Sequence, residues 1–434
     1  MKTFQVKDVG LNPIVLLFLV AFLGVLAVPI LLSIPINNVG DQSQLTTTPL
    51  PQNTKVILHA STFSSSGQIS SNPRSIFYFY DSTGKYISSS GKREEVNDDC
   101  ILQTDDRILY LFKNETISSS NESVQNLPGR SGTEIKSVKF GPSTVGYIEE
   151  LDLGYSLLNV GKKSPETPYV TILRFISDDE FYDVIIPYYL NGIAYDASNK
   201  RFVCEISSLT PSDVVSFLDY TVVAYSAASQ QFEWLPETYH LDNPSVAAGR
   251  TQLLSTSLVK NNCLYNVRNM QDNNNPSNGD LVLSVYDLEK NSVVGNQYLI
   301  QNYALGPYGG VLVGSDQLPF VEKNEQLYVF ASTGQVFIIS DQQNIAVRYL
   351  NDSFEDTVPI SNPIYEGSYR RTHFLGAEIQ VADDGEIYLL NAYRDGYLRI
   401  HQLQMDSTYK LFWEASLPEN WSKDMRINTF EIVD

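Results

Sequence analysis

One short pattern of strand, polar turn and strand recurs along the chain and limits the folds open to it. Its clearest copy runs from Leu281 to Val294, where apolar and polar residues alternate up to Tyr286 and Asp287 opens a turn. Alternation of this kind predicts a half-buried β-hairpin. Poorer copies have their turns near the following positions: Asp81, Gly141, Asp178, Ser226, Asp341 and Asp406. The pattern predicts a protein built from repeated hairpins.

A second signature precedes several of these hairpins and consists of Asp or Asn, two variable residues, an aliphatic residue and Tyr. Its copies are Asp106–Tyr110, Asn261–Tyr265, Asn324–Tyr328 and Asp384–Tyr388, with a weaker copy at Asn199–Val203. We interpret it as a polar turn entering a strand whose aliphatic residue and tyrosine face opposite sides of a sheet. Long repeats made of strands favour four-stranded blades. The sequence therefore predicts an all-β domain over residues 55–434, a β-propeller of about seven four-stranded blades.

The remaining segments complete this interpretation. Arg426 to Val433 alternates like a strand beyond the last hairpin, and we expect it to complete the first blade and close the ring. Pro211 to Leu218 is the best helix candidate. Polar residues dominate three stretches that we interpret as solvated loops: Ser64–Arg74, Ile117–Thr133 and Asn269–Asp280.

The N-terminal region carries a long apolar segment. No charged residue lies between Pro13 and Asn37, and at about 1.5 Å per residue this run spans a bilayer core of about 30 Å. Lys2 and Lys7 precede it, which places the N-terminus in the cytoplasm. We expect residues 1–12 to be cytoplasmic, 13–36 to be a single transmembrane signal anchor and 37–54 to be a flexible linker. The alternative is a cleaved signal peptide that ends at Ala27.

Composition bounds the partners of the exported domain. The formal net charge of the chain is −20, and such a surface repels nucleic acid. We therefore expect no nucleic-acid partner, a membrane contact through residues 13–36, and a protein, peptide or glycan as the binding partner. The three cysteines, Cys100, Cys204 and Cys263, have no CxxC spacing, so we interpret them as buried apolar residues.

Three hairpins carry a family resemblance, those around Asp81 (FYDSTGKYI), Ser226 (AYSAASQQFEW) and Asp287 (VYDLEKNSVV). They resemble the outer strands of the quinoprotein-like and YVTN-type propeller superfamily, and Ala224 to Trp234 keeps the small residue and tryptophan of the quinoprotein docking motif. The resemblance implies the propeller fold, whose members include binding platforms, quinone-binding proteins, lactonases and hydrolases. Because the adjacent cysteine pair of the quinone-binding members is absent here, we expect no cofactor.

Only one local cluster combines basic, imidazole and carboxylate groups, and it comprises Arg370, Arg371, His373 and Glu378. Among the other histidines, His59 and His401 lie inside strand patterns and are better interpreted as packed strand residues than as bases. No nucleophile elbow, phosphate loop or histidine-rich metal motif occurs. The sequence favours a binding or scaffolding module for an envelope protein, peptide or glycan. The alternative is a propeller hydrolase or lactonase that acts at the central channel.

Overall fold

The computed structural model describes most of the chain from residue 49 onwards. The described residues are 49–62, 74–93, 100–104, 107–113, 115–130, 142–161, 169–206, 217–242, 251–253, 257–272, 275–304, 320–330, 335–340, 344–349, 357–358, 378–382, 386–404, 408–419, 421 and 425–433. The predicted anchor at 13–36 lies outside them. Within these ranges no helix has the length and apolar character needed to cross a bilayer.

Strands dominate the described residues and form seven antiparallel sheets of four positions each, and the strands follow sequence order from one edge to the other except for β30, which pairs with β1. The first four blades contain these strands: β1 (Val56–Thr62), β2 (Ser75–Tyr80), β3 (Tyr86–Lys92) and β30 (Met425–Ile432); β4 (Ile101–Gln103), β5 (Ile108–Leu111), β6 (Thr116–Ser119) and β7 (Val124–Leu127); β8 (Pro142–Ile148), β9 (Leu153–Gly161), β10 (Val170–Ile176) and β11 (Phe181–Ile186); β12 (Leu190–Asp196), β13 (Arg201–Ile206), β14 (Phe217–Ser226) and β15 (Gln231–Asp242).

Blades 5 and 7 differ from the others because two short strands share the place of the first strand. The last three blades contain these strands: β16 (Thr251–Leu253) and β17 (Leu258–Lys260), β18 (Cys263–Asp272), β19 (Asn275–Asp287) and β20 (Ser292–Ala304); β21 (Phe320–Lys323), β22 (Gln326–Phe330), β23 (Gln335–Ile339) and β24 (Ile345–Tyr349); β25 (Thr357–Val358) and β26 (Glu378–Val381), β27 (Ile387–Tyr393), β28 (Tyr397–Leu403) and β29 (Tyr409–Ser416). A short 3-10 helix, Glu149–Leu151, joins β8 to β9.

The first strand of each blade lies innermost. In blade 1 this place is taken by β30, and contacts between blades join β26 to β30, β30 to β4, β4 to β8 and β12 to β17, so these inner strands line a common centre. The later strands of each sheet follow outwards in order. The predicted all-β propeller of four-stranded blades is thus confirmed, with seven blades.

The C-terminal strand closes the ring. β30 pairs antiparallel with β1, placing Ile432 opposite Val56 and Phe430 opposite Leu58, and the register shifts between His59 and Ala60. The first blade therefore combines the first three strands of the domain with the last one, as the alternation of Arg426–Val433 predicted. Every blade then has two neighbours, because both ends of the domain meet in one sheet.

Buried side chains join each sheet to the next. Neighbouring blades share core residues in chain order: Phe77 with Tyr110, Leu109 with Phe181, Phe175 with Phe232, Tyr220 with Tyr286, Val267 with Phe337, and Phe330 with Leu389. Tyr80 of blade 1 and Trp413 of blade 7 complete the circle with ring centroids 5.3 Å apart. Burial of apolar surface between sheets is the main stabilising contribution in this arrangement.

The turn and tyrosine signature marks the second strand of a blade, as predicted. In blade 5, Asn261 and Asn262 form the turn with positive φ, and β18 follows at once. Leu264 then packs towards blade 4, whereas Tyr265 packs towards blade 6. The opposite orientation of the aliphatic residue and the tyrosine is therefore confirmed.

The hairpin signature is confirmed for four blades, with turns after Tyr80, Ile176, Ser226 and Asp287. The assignment of a hairpin turn to Gly141 is wrong, because β8 begins directly after it and the third and fourth strands of blade 2 turn earlier, at Ser120–Ser123. The predicted turns at Asp341 and Asp406 lie outside the described residues, between strands that do pair with each other.

Three segments differ from the sequence interpretation. The predicted loop Ile117–Thr133 contains most of β6 and all of β7, because Ser and Asn side chains suit a short outer strand that remains partly in water. The predicted loop Asn269–Asp280 belongs to β18 and β19, which continue their pairing beyond the length of strands in other blades. Phe217 and Leu218, at the end of the predicted helix, lie in β14, where pairing with β15 and burial of Leu218 outweigh the weak helix preference.

The domain also begins earlier than its predicted boundary. Leu50, near the end of the predicted linker 37–54, is buried with Ile57 and Phe77. Its backbone N–H donates to the carbonyl oxygen of Ser120 at 3.0 Å. Residues 49–54 therefore belong to the propeller.

Candidate functional site in the seventh blade

Of the predicted cluster, the structure describes only the last residue. Arg370, Arg371 and His373 lie outside the described residues, within the chain that separates β25 from β26. Glu378 is the first residue of β26 and pairs with Leu390 of β27. It therefore lies on the innermost strand of blade 7, which ends at Val381 as the sequence pattern predicted.

The inner strand of blade 7 is split at one position. β25 pairs with the end of β27, with Val358 opposite Ala392, whereas β26 pairs with its beginning, from Glu378 opposite Leu390. No described inner-strand residue pairs with Asn391, which lies between these two positions.

Among the described residues of this blade, Asn391 has the least satisfied polar side chain. It has no exposed surface, and neither Oδ1 nor Nδ2 has a hydrogen-bond partner. Leu389, two residues before it, packs against Phe330 and Val336 of blade 6, so the same face of β27 points towards blade 6. A buried amide without partners costs about 1–3 kcal/mol for each lost hydrogen bond. Native proteins rarely retain such a group without a reason.

Arg399 lies directly opposite Asn391 on β28 and organises the groups around it. Its Nε donates to Glu414 Oε2 and its Nη2 to Asp395 Oδ2, both at 2.5 Å. The guanidinium group lies 4.4 Å from the ring centre of Tyr393 and 5.6 Å from that of Tyr397. Burial opposes ionisation of Asp395, yet its hydrogen bonds and the charge of Arg399 prevail and lower its pKa. Two carboxylates thus surround one cation.

His401 completes the cluster on the same face, two residues along β28. Its ring centroid lies 6.3 Å from that of Tyr393. Burial lowers the pKa of His401 to about 4, and the nearby charge of Arg399 adds to the effect. The imidazole is therefore neutral at neutral pH. A general base works best with a pKa near the working pH, so this ring is better suited to hydrogen bonding than to proton abstraction at pH 7.

We name the Asn391 site as the group formed by Asn391, Tyr393, Arg399 and His401. It combines an unpartnered amide, a neutral imidazole and aromatic rings, and Tyr397 stands exposed beside it. Such groups recognise neutral polar chemistry, including peptide amides and sugar hydroxyls. Within the described residues, no cluster of three or more His, Cys, Asp or Glu is arranged to hold a metal ion.

Blade 5 offers an internal comparison because its inner strand is also split. β16 ends opposite Arg268 and β17 begins opposite Tyr265, so the break faces Asn266 and Val267. Asn266 is fully buried, but its Nδ2 donates to Glu205 Oε1 at 3.3 Å, and Arg268 Nη2 donates to Glu205 Oε2 at 3.4 Å. Ser257 also donates to Glu205. This network ties blade 5 to blade 4, and its amide nitrogen is satisfied.

His59 has the packed strand position that its sequence pattern indicated. His59 is buried in β1, stacked on Phe77 with ring centroids 4.9 Å apart, and its Nε2 has no hydrogen-bond partner. Burial, assisted by the charge of Arg426, lowers its pKa to about 3. His240 is half-exposed, with Nδ1 2.7 Å from Asp219 Oδ1. Cys100 and Cys204 are buried, as predicted, whereas Cys263 is only partly so.

Sequence reasoning missed Asn391 and Arg399. Asn391 stands in the run IYLLNAY, where an amide among apolar strand residues was the available signal. Its importance depends on the split of the inner strand, which brings no partner to it. That split follows from pairing between segments far apart in the sequence, and no local pattern encodes it.

Comparison with solved structures finds similar chains of low identity. The structure of apo AztD from Citrobacter koseri is 12% identical, with 87% of this chain and 97% of that chain covered and a TM-score of 0.39. A structure from Bacteroides uniformis, assigned as a 6-phosphogluconolactonase, is 9% identical, with 88% and 100% covered and a TM-score of 0.44. No protein-family model and no curated protein sequence matches the chain. The propeller fold is established by the strand order and shared cores described above.

Proposed function

We propose that this protein is a membrane-anchored extracytoplasmic β-propeller that binds a protein, peptide or glycan partner at the Asn391 site. The observation that carries the proposal is the fully buried amide of Asn391, whose oxygen and nitrogen both lack partners. A ligand with one donor and one acceptor, as in a peptide group or a pair of sugar hydroxyls, satisfies both atoms together.

The position of this amide supports a role in binding. Asn391 lies on β27, beside the innermost strand, between the two positions that pair with β25 and β26. The paired amide of Asn266, at the corresponding break in blade 5, indicates that the fold satisfies such a group where its role is structural. Propellers commonly bind ligands near the centre of the ring.

The membrane part of the proposal rests on the sequence. The uncharged run within residues 13–36, preceded by Lys2 and Lys7, supports an anchor with the domain outside the cytoplasm. Protease added to intact cells is expected to digest the propeller while a tag at the N-terminus survives. Loss of that tag under the same treatment, or recovery of a soluble form that begins near Val28, would contradict the anchor.

Binding is tested with the full-length protein in detergent, probed on an oligosaccharide array and with a displayed library of uncharged peptides. The wild-type protein is compared with Asn391→Leu, which keeps the number and branching of the side-chain heavy atoms and removes both hydrogen-bonding atoms. Asn121→Leu, at an exposed turn of blade 2, serves as the matched control. We expect to find a ligand that binds Asn121→Leu with the affinity of the wild type. Its affinity for Asn391→Leu should be at least tenfold lower, which corresponds to about 1.4 kcal/mol.

The contrary outcomes are equally specific. Ligands that bind Asn391→Leu as well as the wild type would exclude this site. Hydrolysis of a lactone or glycoside by the wild-type protein, abolished in Asn391→Leu, would replace the binding function with the hydrolase or lactonase alternative.

A further inference from the structure

The outermost strand of blade 5 is unusual among the outer strands of this propeller. β20 runs from Ser292 to Ala304 and contains no charged residue. Other long or medium outer strands carry charge or proline: β3 has Lys92, β11 has Asp183, β15 has Glu233, Pro236 and Glu237, β24 has Arg348, and β29 has Lys410 and Glu414. β7 is also uncharged, but it has only four residues.

Charge and proline on an outer strand prevent it from pairing with another chain, because the strand presents unpaired backbone N–H and C=O groups. In the described part of the protein, β20 pairs with β19 on one side and with no strand on the other. Tyr298 is 49% exposed and Val294 is 43% exposed. β20 is thus a long uncharged edge that lacks the usual protection.

The central part of this edge is regular. Gly295, Asn296, Gln297 and Tyr298 pair in sequence with Val285, Ser284, Leu283 and Val282 of β19. The register shifts on either side leave Val294 and Leu299 as the extra residues of bulges, which turn the ends of the strand aside. Only the stretch from Gly295 to Tyr298 therefore has the straight geometry that an added strand needs. No atom lies within 4 Å of a Cβ placed on Gly295, so this stretch is also uncrowded.

We propose that Gly295–Tyr298 is a docking edge for an extended peptide of a partner protein, which adds to blade 5 as an antiparallel fifth strand. Main-chain hydrogen bonds supply affinity in this mode of recognition, and alternate side chains supply specificity. The proposal concerns a different blade from the Asn391 site and is independent of the ligand bound there.

The charge of the protein selects the chemistry of the peptide. The edge itself is neutral. In the preceding turn Lys290 pairs with Asp287, which leaves Glu289 as the excess acidic residue there, and Asp280 lies on β19 near the other end. The whole chain carries a formal net charge of −20. A peptide with a neutral, β-branched centre and lysine or arginine at its ends complements this surface, whereas a second copy of the acidic chain is repelled.

The test uses the full-length protein and a synthetic fluorescent peptide in which alternating valine and threonine are flanked by lysine pairs. Tyr298→Lys places a cation on the docking edge. Leu411→Lys makes the same change at a residue that is also 49% exposed, on the already charged outer strand of blade 7. We expect the peptide to bind the wild type and Leu411→Lys alike and to bind Tyr298→Lys at least tenfold more weakly.

Two further measurements separate backbone pairing from other effects. In an edge strand, consecutive residues direct their N–H groups to opposite sides, so one of Asn296→Pro and Gln297→Pro removes an outward N–H and the other removes a bond to β19. We expect one of these variants to keep the wild-type melting temperature and lose the peptide. A proline in the centre of the peptide is expected to abolish binding to the wild type.

The proposal is overturned by three results. The first would be that the peptide binds no form of the protein, and the second that it binds Tyr298→Lys as well as the wild type. The third would be a dimer in analytical ultracentrifugation that the substitution Tyr298→Lys dissociates, because this would assign the edge to a second copy of the chain. Because Asn391→Leu leaves this edge unchanged, a failure at the Asn391 site and a failure at β20 are distinguished by which variant loses binding.

Discussion

The indole Nε1–H of Trp413, in the last blade, donates to the carbonyl oxygen of Asp81, in the first blade, at 3.0 Å. Tyr80, next to Asp81, packs its ring against Trp413 and donates its hydroxyl to the carbonyl oxygen of Ser416 at 3.4 Å. The two ends of the propeller are therefore joined at the outer strands as well as through β30. Closure rests on two separate sets of contacts, and each can be tested.

Gly84 tests the outer contact. A Cβ at this position would overlap the carbonyl oxygen of Glu414, and its φ of +80° also disfavours a side chain. Gly396 has a φ of +84° but no atom within 4 Å. Gly396→Ala is expected to cost about 1 kcal/mol from backbone strain alone. Gly84→Ala should cost clearly more in urea denaturation, because blades 1 and 7 must separate. Equal losses would show that the contact with Glu414 is unimportant.

β30 tests the inner contact. Phe430 is buried opposite Leu58, and we expect Phe430→Ala to lower the free energy of unfolding by about 3–5 kcal/mol. Deletion of residues 426–434 should destabilise the whole domain, because β1 loses its inner partner and the ring opens. The measurement is the melting temperature followed by circular dichroism. An unchanged value for the deletion would contradict the closure of blade 1 by β30.

His59 links stability to pH. Its pKa is lowered from 6.5 to about 3 in the folded state, so the unfolded chain takes up a proton below pH 6.5 while the folded chain does not. Stability from this residue is present above pH 6.5 and is lost as pH falls towards 3. When the pH is lowered from 7 to 5, the free energy of unfolding of His59→Leu should fall by about 2 kcal/mol less than that of the wild type. Phe77→Leu, which alters the stacked ring without a titrating group, should keep the wild-type pH dependence. If His59→Leu also keeps the wild-type pH dependence, the imidazole is not buried in the neutral form.

Local pattern predicted the repeating part of this fold. Alternation and polar turns identified the hairpins, and the aliphatic and tyrosine pair identified second strands, because both depend on neighbours within one blade. The C-terminal strand was predictable since a strand without a partner needs an edge. The hairpin of blade 2 was missed because β6 and β7 are short, and serine and asparagine at Ser118, Ser119 and Asn126 conceal the alternation.

The candidate site was less predictable. The sequence pointed to blade 7 through Arg370, Arg371, His373 and Glu378, and of these only Glu378 lies among the described residues. Asn391, Arg399 and His401 are brought together by the pairing of β27 with β28 and by packing against blade 6. Asn266 of blade 5, whose amide is hydrogen-bonded, and Asn391 of blade 7, whose amide is not, have similar sequence surroundings. Only the structure distinguishes them, through the presence of Glu205.

The most direct test of the central claim compares the free energies of unfolding of Asn391→Leu and Asn266→Leu, in the absence of any ligand. The claim is that the Asn391 amide serves binding at the expense of stability. Leucine has the same heavy-atom branching as asparagine but no hydrogen-bonding atom, so the substitution removes the desolvation cost of the unsatisfied amide. This gain offsets the crowding by the larger methyl groups, and we expect Asn391→Leu to be at least as stable as the wild type. Asn266→Leu takes a hydrogen bond from Glu205 and should lose about 1–3 kcal/mol. A loss of stability in Asn391→Leu equal to that in Asn266→Leu would contradict the account.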